Sequence, residues 1–355
     1  MSDPHPDNPS SRRITRRALL VDALAATGIG VAGALAVDRF RHRRRRAAVF
    51  IGKAPSYSMD LASIIEAGLG QLGIGSGEVR GKRILLKPNF VETVRGALHI
   101  CTQPEVVFAA VEAFRKLGAA EVLIGEGSGH CPDAMRIIDE VRLAESLVEQ
   151  KLRFVDLNND DLIVRPNAGG RTSLRALALP ATVDQVDWIV SMPKMKTHHW
   201  VGATLSMKNL FGMMPGIVYG WPKNVLHWAG IEGCVLDINQ TVQPHLAIID
   251  GIVGMEGDGP IMGTPKPTGV IVMGTNLPAV DATAARIMGI DPTKVAYLRN
   301  AHGRLGTIAL DEITQRGETI ASVQTDYQLM DFIPAHRGLR PARGSRAIPA
   351  PGLSS

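Results

Sequence analysis

Arg83-Ile84-Leu85-Leu86-Lys87-Pro88-Asn89 is the stretch on which the fold turns. Three aliphatic residues in a row, without polar alternation, suit a strand covered on both faces, and Pro88 stops it. Thr102-Gln103-Pro104-Glu105 follows, with the T-x-x-E form of a capping box and a proline tolerated in the first turn. Val106, Val107, Ala110, Ala113, Phe114 and Leu117 then recur with a period of about 3.6, and Gly118 supplies the stop. Residues 121–124 form the next apolar run, broken by Gly125-Glu126-Gly127-Ser128-Gly129. Strand, helix and strand in that order form the repeating unit of a parallel sheet.

The alternation recurs on both sides. Strand-like runs lie at 47–51, 152–157, 174–179, 187–192, 246–250 and 269–274. Helical spacing marks 64–72, 133–149, 207–213, 235–242, 278–288 and 292–302. The expected fold class is therefore α/β, with a mostly parallel sheet and helices on both faces. No segment repeats at a fixed period.

Of the 355 residues, 45% are hydrophobic and 21% charged, which excludes a collagen-like, disordered or many-span membrane chain. The net charge of +5 is unevenly placed. Residues 1–46 carry ten arginines against four aspartates, and the segment 335–355 carries four arginines and no acid. The body between them, 47–334, is left at −5, so a nucleic-acid-binding role is not expected. Cys101, Cys131 and Cys234 have no C-x-x-C spacing. That argues against a disulfide framework, a structural zinc site and a four-cysteine iron–sulfur cluster.

The first 46 residues have the form of an export signal or membrane anchor. Arg16-Arg17 precedes an apolar run at 18–37, interrupted by Asp22, and Ala34-Leu35-Ala36 has a small-x-small form. The whole resembles a twin-arginine leader. The run is also long enough, at about 30 Å, to be an uncleaved membrane span. Arginines at 39, 41 and 43–46 would hold the following body in the cytoplasm under the positive-inside rule, so export and a cytoplasm-facing anchor both stand. The segment 335–355 lacks apolar periodicity and is expected to be disordered.

Ligands of open parallel sheets bind beyond the carboxyl ends of the strands. Lys87 and Asn89 fall there after 83–86, Glu126 after 121–124, and Lys194, Lys196 and His198 after 187–192. Lys208 and Asn209 come soon after, and Asp250, Glu256 and Asp281 follow the later strands. Lysines and amides beside glycine-rich backbone suit a phosphate or carboxylate, and clustered acids suit a hard divalent cation. Each has a plainer reading: a surface lysine, a turn at Asp250-Gly251, or a helix cap at Asp281. A dinucleotide fingerprint is absent, because His130 stands where G-x-G-x-x-G needs its third glycine. His198 and His199 are adjacent, so their rings diverge rather than share a metal.

Several motifs resemble, in order, the family called domain of unknown function 362. They are Leu86-Lys87-Pro88-Asn89, Pro104-Glu105-Val106-Val107, Ile124-Gly125-Glu126-Gly127 and Pro193-Lys194-Met195-Lys196-Thr197-His198. Thr204-Leu205-Ser206-Met207-Lys208-Asn209-Leu210-Phe211-Gly212, Asp250-Gly251-Ile252, Met255-Glu256-Gly257 and Ala279-Val280-Asp281-Ala282 continue the series, with His227 where the family carries a histidine. The likeness spans about residues 47–300. Many relatives carry a ferredoxin-like cysteine cluster, which this chain lacks, so the resemblance implies no iron–sulfur cluster here.

Two functions follow as expectations. In the first, the chain is an enzyme on a small anionic compound. Lys87, Asn89, Glu126, Lys194, Lys196 and Asn209 bind it, His198, His227 and Lys208 carry out acid–base or nucleophilic steps, and Asp250, Glu256 and Asp281 hold a divalent cation. Asp250→Ala and Lys208→Ala are then expected to abolish ligand binding without unfolding the protein. In the second, the chain is a non-catalytic, membrane-tethered binder or accessory protein of a redox or maturation system. The oligomeric state is left open.

Overall fold

The computed structural model describes residues 46–92 and 96–341. Twelve strands are defined within them: β1 (Ala47–Lys53), β2 (Arg83–Lys87), β3 (Glu121–Glu126), β4 (Phe154–Asp156), β5 (Leu162–Pro166), β6 (Ala176–Pro180), β7 (Trp188–Ser191), β8 (Lys194–His198), β9 (Gly202–Thr204), β10 (Leu246–Glu256), β11 (Thr264–Gly274) and β12 (Ile313–Gly317). The main sheet runs β12-β1-β11-β10-β7-β2-β3-β4, with β8 and β9 continuing from β10. Pairings from β10 through β7, β2 and β3 to β4 are all parallel, while β11 runs antiparallel to both β10 and β1. The fold is α/β with a mostly parallel sheet, as its alternating runs imply.

Apolar side chains leave the sheet on alternate faces. Ile84 and Leu86 point into one core with Val106, Val107, Ala110 and Phe114 of the helix Pro104–Lys116. Leu85 points into the other, which also holds Leu277, Val280 and Ala284 of the helix Leu277–Ile287 and Val235 and Ile238 of the helix Asn224–Val242. Ile84, Leu85 and Leu86 are all fully buried, which accounts for the unbroken apolar run.

Local details depart from the sequence reading for physical reasons. The helix Pro104–Lys116 is capped at Gln103, without the expected capping box. The Thr102 hydroxyl is used elsewhere: it accepts from the Asn89 amide at 3.0 Å and donates to the Met192 carbonyl at 2.7 Å. The helix expected at 133–149 is two, Ala134–Glu140 and Ala144–Glu149, separated by Arg142 at φ 61°. Strand β6 pairs with β5 in a separate hairpin and stays out of the main sheet. Strand β7 stops before Pro193, and the chain resumes at once as β8, which pairs with a further stretch of β10.

Residues 335–341, assigned to the tail by their composition, are folded: His336 and Leu339 are buried, and the Arg340 guanidinium donates to the Gly289 carbonyl at 3.0 Å. The apolar run at 18–37 lies outside the described residues. Among the described residues, no helix is long and apolar enough to cross a membrane.

Candidate functional site

Strands β2 and β3 are parallel neighbours, so their carboxyl ends bring Lys87 and Glu126 side by side. The Lys87 Nζ lies 2.7 Å from Glu126 Oε2, with both side chains almost wholly buried. The ammonium's other protons go to the Pro88 carbonyl at 2.7 Å and Asn209 Oδ1 at 3.0 Å. Glu126 also accepts from the backbone amides of Phe90 and Gly127, both at 2.8 Å. Every charge-bearing position of this pair is thus satisfied within the protein. Gly212 closes over it: a Cβ there would overlap Glu126 Oε1 and the Lys87 ammonium.

Asn209 ties the floor together. Its Nδ2 donates to the Lys87 carbonyl at 3.0 Å and Ser191 Oγ at 3.1 Å, and its Oδ1 accepts from Lys87 and from Asn89 Nδ2 at 3.1 Å. An ammonium only donates and a carbonyl only accepts, so the orientation of both amides is fixed.

These residues form the floor of a cleft of about 390 Å³, and Lys208, His198 and His227 stand in its walls. Lys208 is half-buried and its Nζ sits 3.8 Å from the centre of the Phe211 ring. Its ammonium makes no ion pair or hydrogen bond among the described residues. Burial, with the charges of Lys196 and Lys87, pushes its pKa down to about 7. His198, at the end of β8, accepts from the Trp200 amide through Nδ1 at 3.1 Å, which leaves the proton on Nε2. His227 makes the opposite choice: Nδ1 donates to the Lys223 carbonyl at 3.0 Å, leaving Nε2 bare. Burial, then Lys208, holds His198 well below its ordinary value and His227 at about 4. Both rings are neutral at pH 7, so Lys208 rather than a histidine is poised to exchange a proton there.

The remaining expected site residues lie elsewhere. Lys194 and Asp250 form a separate, fully buried pair at 2.6 Å, joined by the Tyr57 hydroxyl. Lys196 is buried behind the cleft, its Nζ donating to the Ile100 and Pro260 carbonyls at 2.9 and 3.1 Å. Glu256 accepts from the Gln328 amide and pairs with Lys266 at 3.1 Å. Asp281 accepts from the Ser206 and Met207 amides at 2.7 and 3.0 Å, fastening the start of the short helix Ser206–Asn209 that carries Lys208 and Asn209. The three carboxylates expected to hold a cation therefore do not converge. Among the described residues, no three His, Cys, Asp or Glu gather to hold a metal.

The cleft also contains residues the sequence reading did not assign. Lys223 has the left-handed φ of 70°, and its buried ammonium donates to Asn158 Oδ1 and the Met214 carbonyl. Trp200, Phe211, His130 and Thr204 also line it, as do Asp258, Pro222, Ile261 and Met262. Phe211 and Thr204 lie inside the quoted motifs, whereas nothing local to Lys223 separates it from a surface lysine.

Lys196, Lys208 and Lys223 share a consequence for stability. Burial brings each from 10.5 to about 7, so above pH 7 the unfolded chain binds more protons than the folded one. Stability is therefore expected to rise from pH 7 to 9. Above 9 the buried thiols of Cys101 and Cys234, raised to about 11, act in the opposite sense. Unfolding midpoints at pH 7, 8 and 9 check this, and a flat or falling series contradicts it.

A family model described as domain of unknown function (DUF362) matches residues 84–286, a range that contains every cleft residue named above. The thylakoid-associated protein sll1697 of Synechocystis is 28% identical over 247 residues, covering 66% of this chain and 71% of that protein. A crystal structure of a Thermotoga maritima protein is 12% identical, with a TM-score of 0.35. The alignment covers 63% of this chain and 58% of that one, so the chain spans less than two thirds of that protein.

Proposed function

This chain belongs to the domain of unknown function 362 family, and we propose that it is an enzyme acting on a small carboxylate or phosphate bound in the cleft. The observation that carries the reading is Lys208, an ammonium in the cleft that makes no ion pair or hydrogen bond among the described residues. An anion entering there supplies what the protein does not. With its pKa near 7, Lys208 is present as both ammonium and amine at neutral pH, so it can hold the anion and can also give or take a proton. His198 offers Nε2–H as a fixed donor, and His227 offers a bare Nε2. The Lys87–Glu126 pair and Asn209 keep the floor rigid beneath the ligand. No cation on Asp250, Glu256 and Asp281 enters the proposal, because each already has its partners.

A second reading, a membrane-tethered binder without turnover, is favoured by the name of the thylakoid-associated relative and by the arginine-flanked apolar run at 18–37. Depletion of a compound from cell extract by wild type but not by Lys208→Met supports the enzyme. Retention of one equivalent without conversion supports the binder.

Benzoate tests the anion site itself, since it stays ionised across the neutral range. A bound carboxylate raises the pKa of Lys208, so binding at pH 7–8 takes up a proton and weakens as pH rises above 7. Titration calorimetry in two buffers of different ionisation enthalpy reads that uptake directly. Affinity independent of pH, with no proton taken up, removes Lys208 from the contact.

A further inference from the structure

We infer that the ligand of this cleft is a 2-oxo acid whose carbonyl carbon condenses with the Lys208 amine to form an imine. The inference rests on the reading of the cleft as an anion site and specifies the class and chemistry of its ligand.

The nucleophile follows from a comparison of the three lysines that line the cleft, Lys87, Lys208 and Lys223. The Lys87 ammonium is committed to Glu126, the Pro88 carbonyl and Asn209, and that of Lys223 to Asn158 and the Met214 carbonyl. Lys208 makes no ion pair or hydrogen bond among the described residues, and its Nζ rests 3.8 Å from the centre of the Phe211 ring. A lysine becomes a nucleophile at neutral pH when an apolar wall desolvates it or another cation stands near. Both conditions hold here. Phe211 is the wall, and the charges of Lys196 and Lys87 act with burial to bring Lys208 to about 7.

The proton path follows from the rings beside it. The centre of Phe211 lies 5.8 Å from that of His227, which also lines the cleft. The Lys223 carbonyl engages Nδ1 of His227, so Nε2 is the atom left to accept a proton. In the condensation, Nε2 takes one proton from the ammonium, directly or through one water. The freed lone pair attacks the carbonyl carbon, a C–N bond forms, and the C=O π pair moves to oxygen, which receives a second proton from the nitrogen. His227 then gives its proton to that hydroxyl. Water departs with the C–O bonding pair, and the nitrogen lone pair closes the C=N bond. Nothing is oxidised or reduced. The iminium keeps the positive charge of the ammonium, so a carboxylate on the adjoining carbon stays beside its counter-charge.

Pyruvate and cyanoborohydride, added to the full chain at pH 7 and followed by peptide mass mapping, test the imine. Reduction fixes it as a carboxyethyl group on the lysine. Surface lysines titrate near about 10.4 and are almost wholly protonated at pH 7, so Lys208 should be labelled about 100-fold faster than any of them. Saturating benzoate should suppress that labelling, and Lys208→Arg should remove it while the chain still unfolds cooperatively. His227→Ala should slow it about 100-fold. Calorimetric binding of benzoate, with Lys208 labelled no faster than surface lysines, overturns the imine and leaves the anion site standing. Labelling of His227→Ala at the wild-type rate overturns the proton path. Absence of both benzoate binding and the adduct overturns the anion site and this inference with it.

Discussion

Asp250→Ala is expected to lower the free energy of unfolding by about 3–5 kcal/mol, the usual result of stripping one partner from a buried ion pair. Asp250 and Lys194 are both wholly inaccessible to solvent and lie 2.6 Å apart. The carboxylate also accepts from the Tyr57 hydroxyl at 3.0 Å and from the Gln103 and Ile252 amides at 3.1 and 3.2 Å. Alanine therefore leaves a buried ammonium with only the Tyr57 hydroxyl, and it frees two backbone donors. Urea denaturation with an unchanged m-value measures the loss. Lys194→Met combined with Asp250→Ala should cost less than the two single changes added, because no charge is then left unpaired. The residues that still fold should bind benzoate as wild type does. Loss of binding with an unaltered midpoint would return Asp250 to the ligand site, where its position after a strand places it on sequence grounds.

Lys208→Met should have the opposite profile. A charge-assisted hydrogen bond is worth about 1.5–3 kcal/mol, so the affinity for benzoate should fall about 10- to 100-fold. The unfolding temperature at pH 7 should hold or rise. Methionine keeps an apolar stem against Phe211 and removes an ammonium whose burial is offset by no ion pair among the described residues. Calorimetry and thermal unfolding on the same preparation give both results. A large drop in stability with normal binding would make Lys208 a packing residue.

The contrast between these two positions marks how far the sequence can be read. The fold was legible because β2 and β3 are short apolar runs ended by Pro88 and by glycines, and the helix between them keeps a clear period. Part of the site was legible for the same reason: Lys87, Asn89 and Glu126 follow those strands and do meet in the cleft, with His198, Lys208, Asn209 and His227. What the sequence could not give is which polar residues already have partners. Asp281 is buried, its pKa raised to about 7, against a helix start 75 residues earlier in the chain, and Asp250 meets Lys194 at a separation of 56. Such pairings depend on the crossing of distant elements, and no local spacing encodes them. The capping box failed likewise, since the Thr102 hydroxyl is drawn to Asn89 and Met192 by the packing of the sheet end. Lys223 was missed because its left-handed backbone and its contact with Asn158 have no signature around residue 223.

The claim on which the function rests is that the cleft holds an unpaired cation that an anion completes. It is tested most directly by NMR of the full chain with ¹³C,¹⁵N-lysine, following Cε shifts against pH with and without benzoate. The expected result is a resonance that titrates near pH 7, is absent in Lys208→Met and moves to higher pH when benzoate is present. A Lys208 resonance titrating near 10.5, unmoved by the anion, would contradict the account.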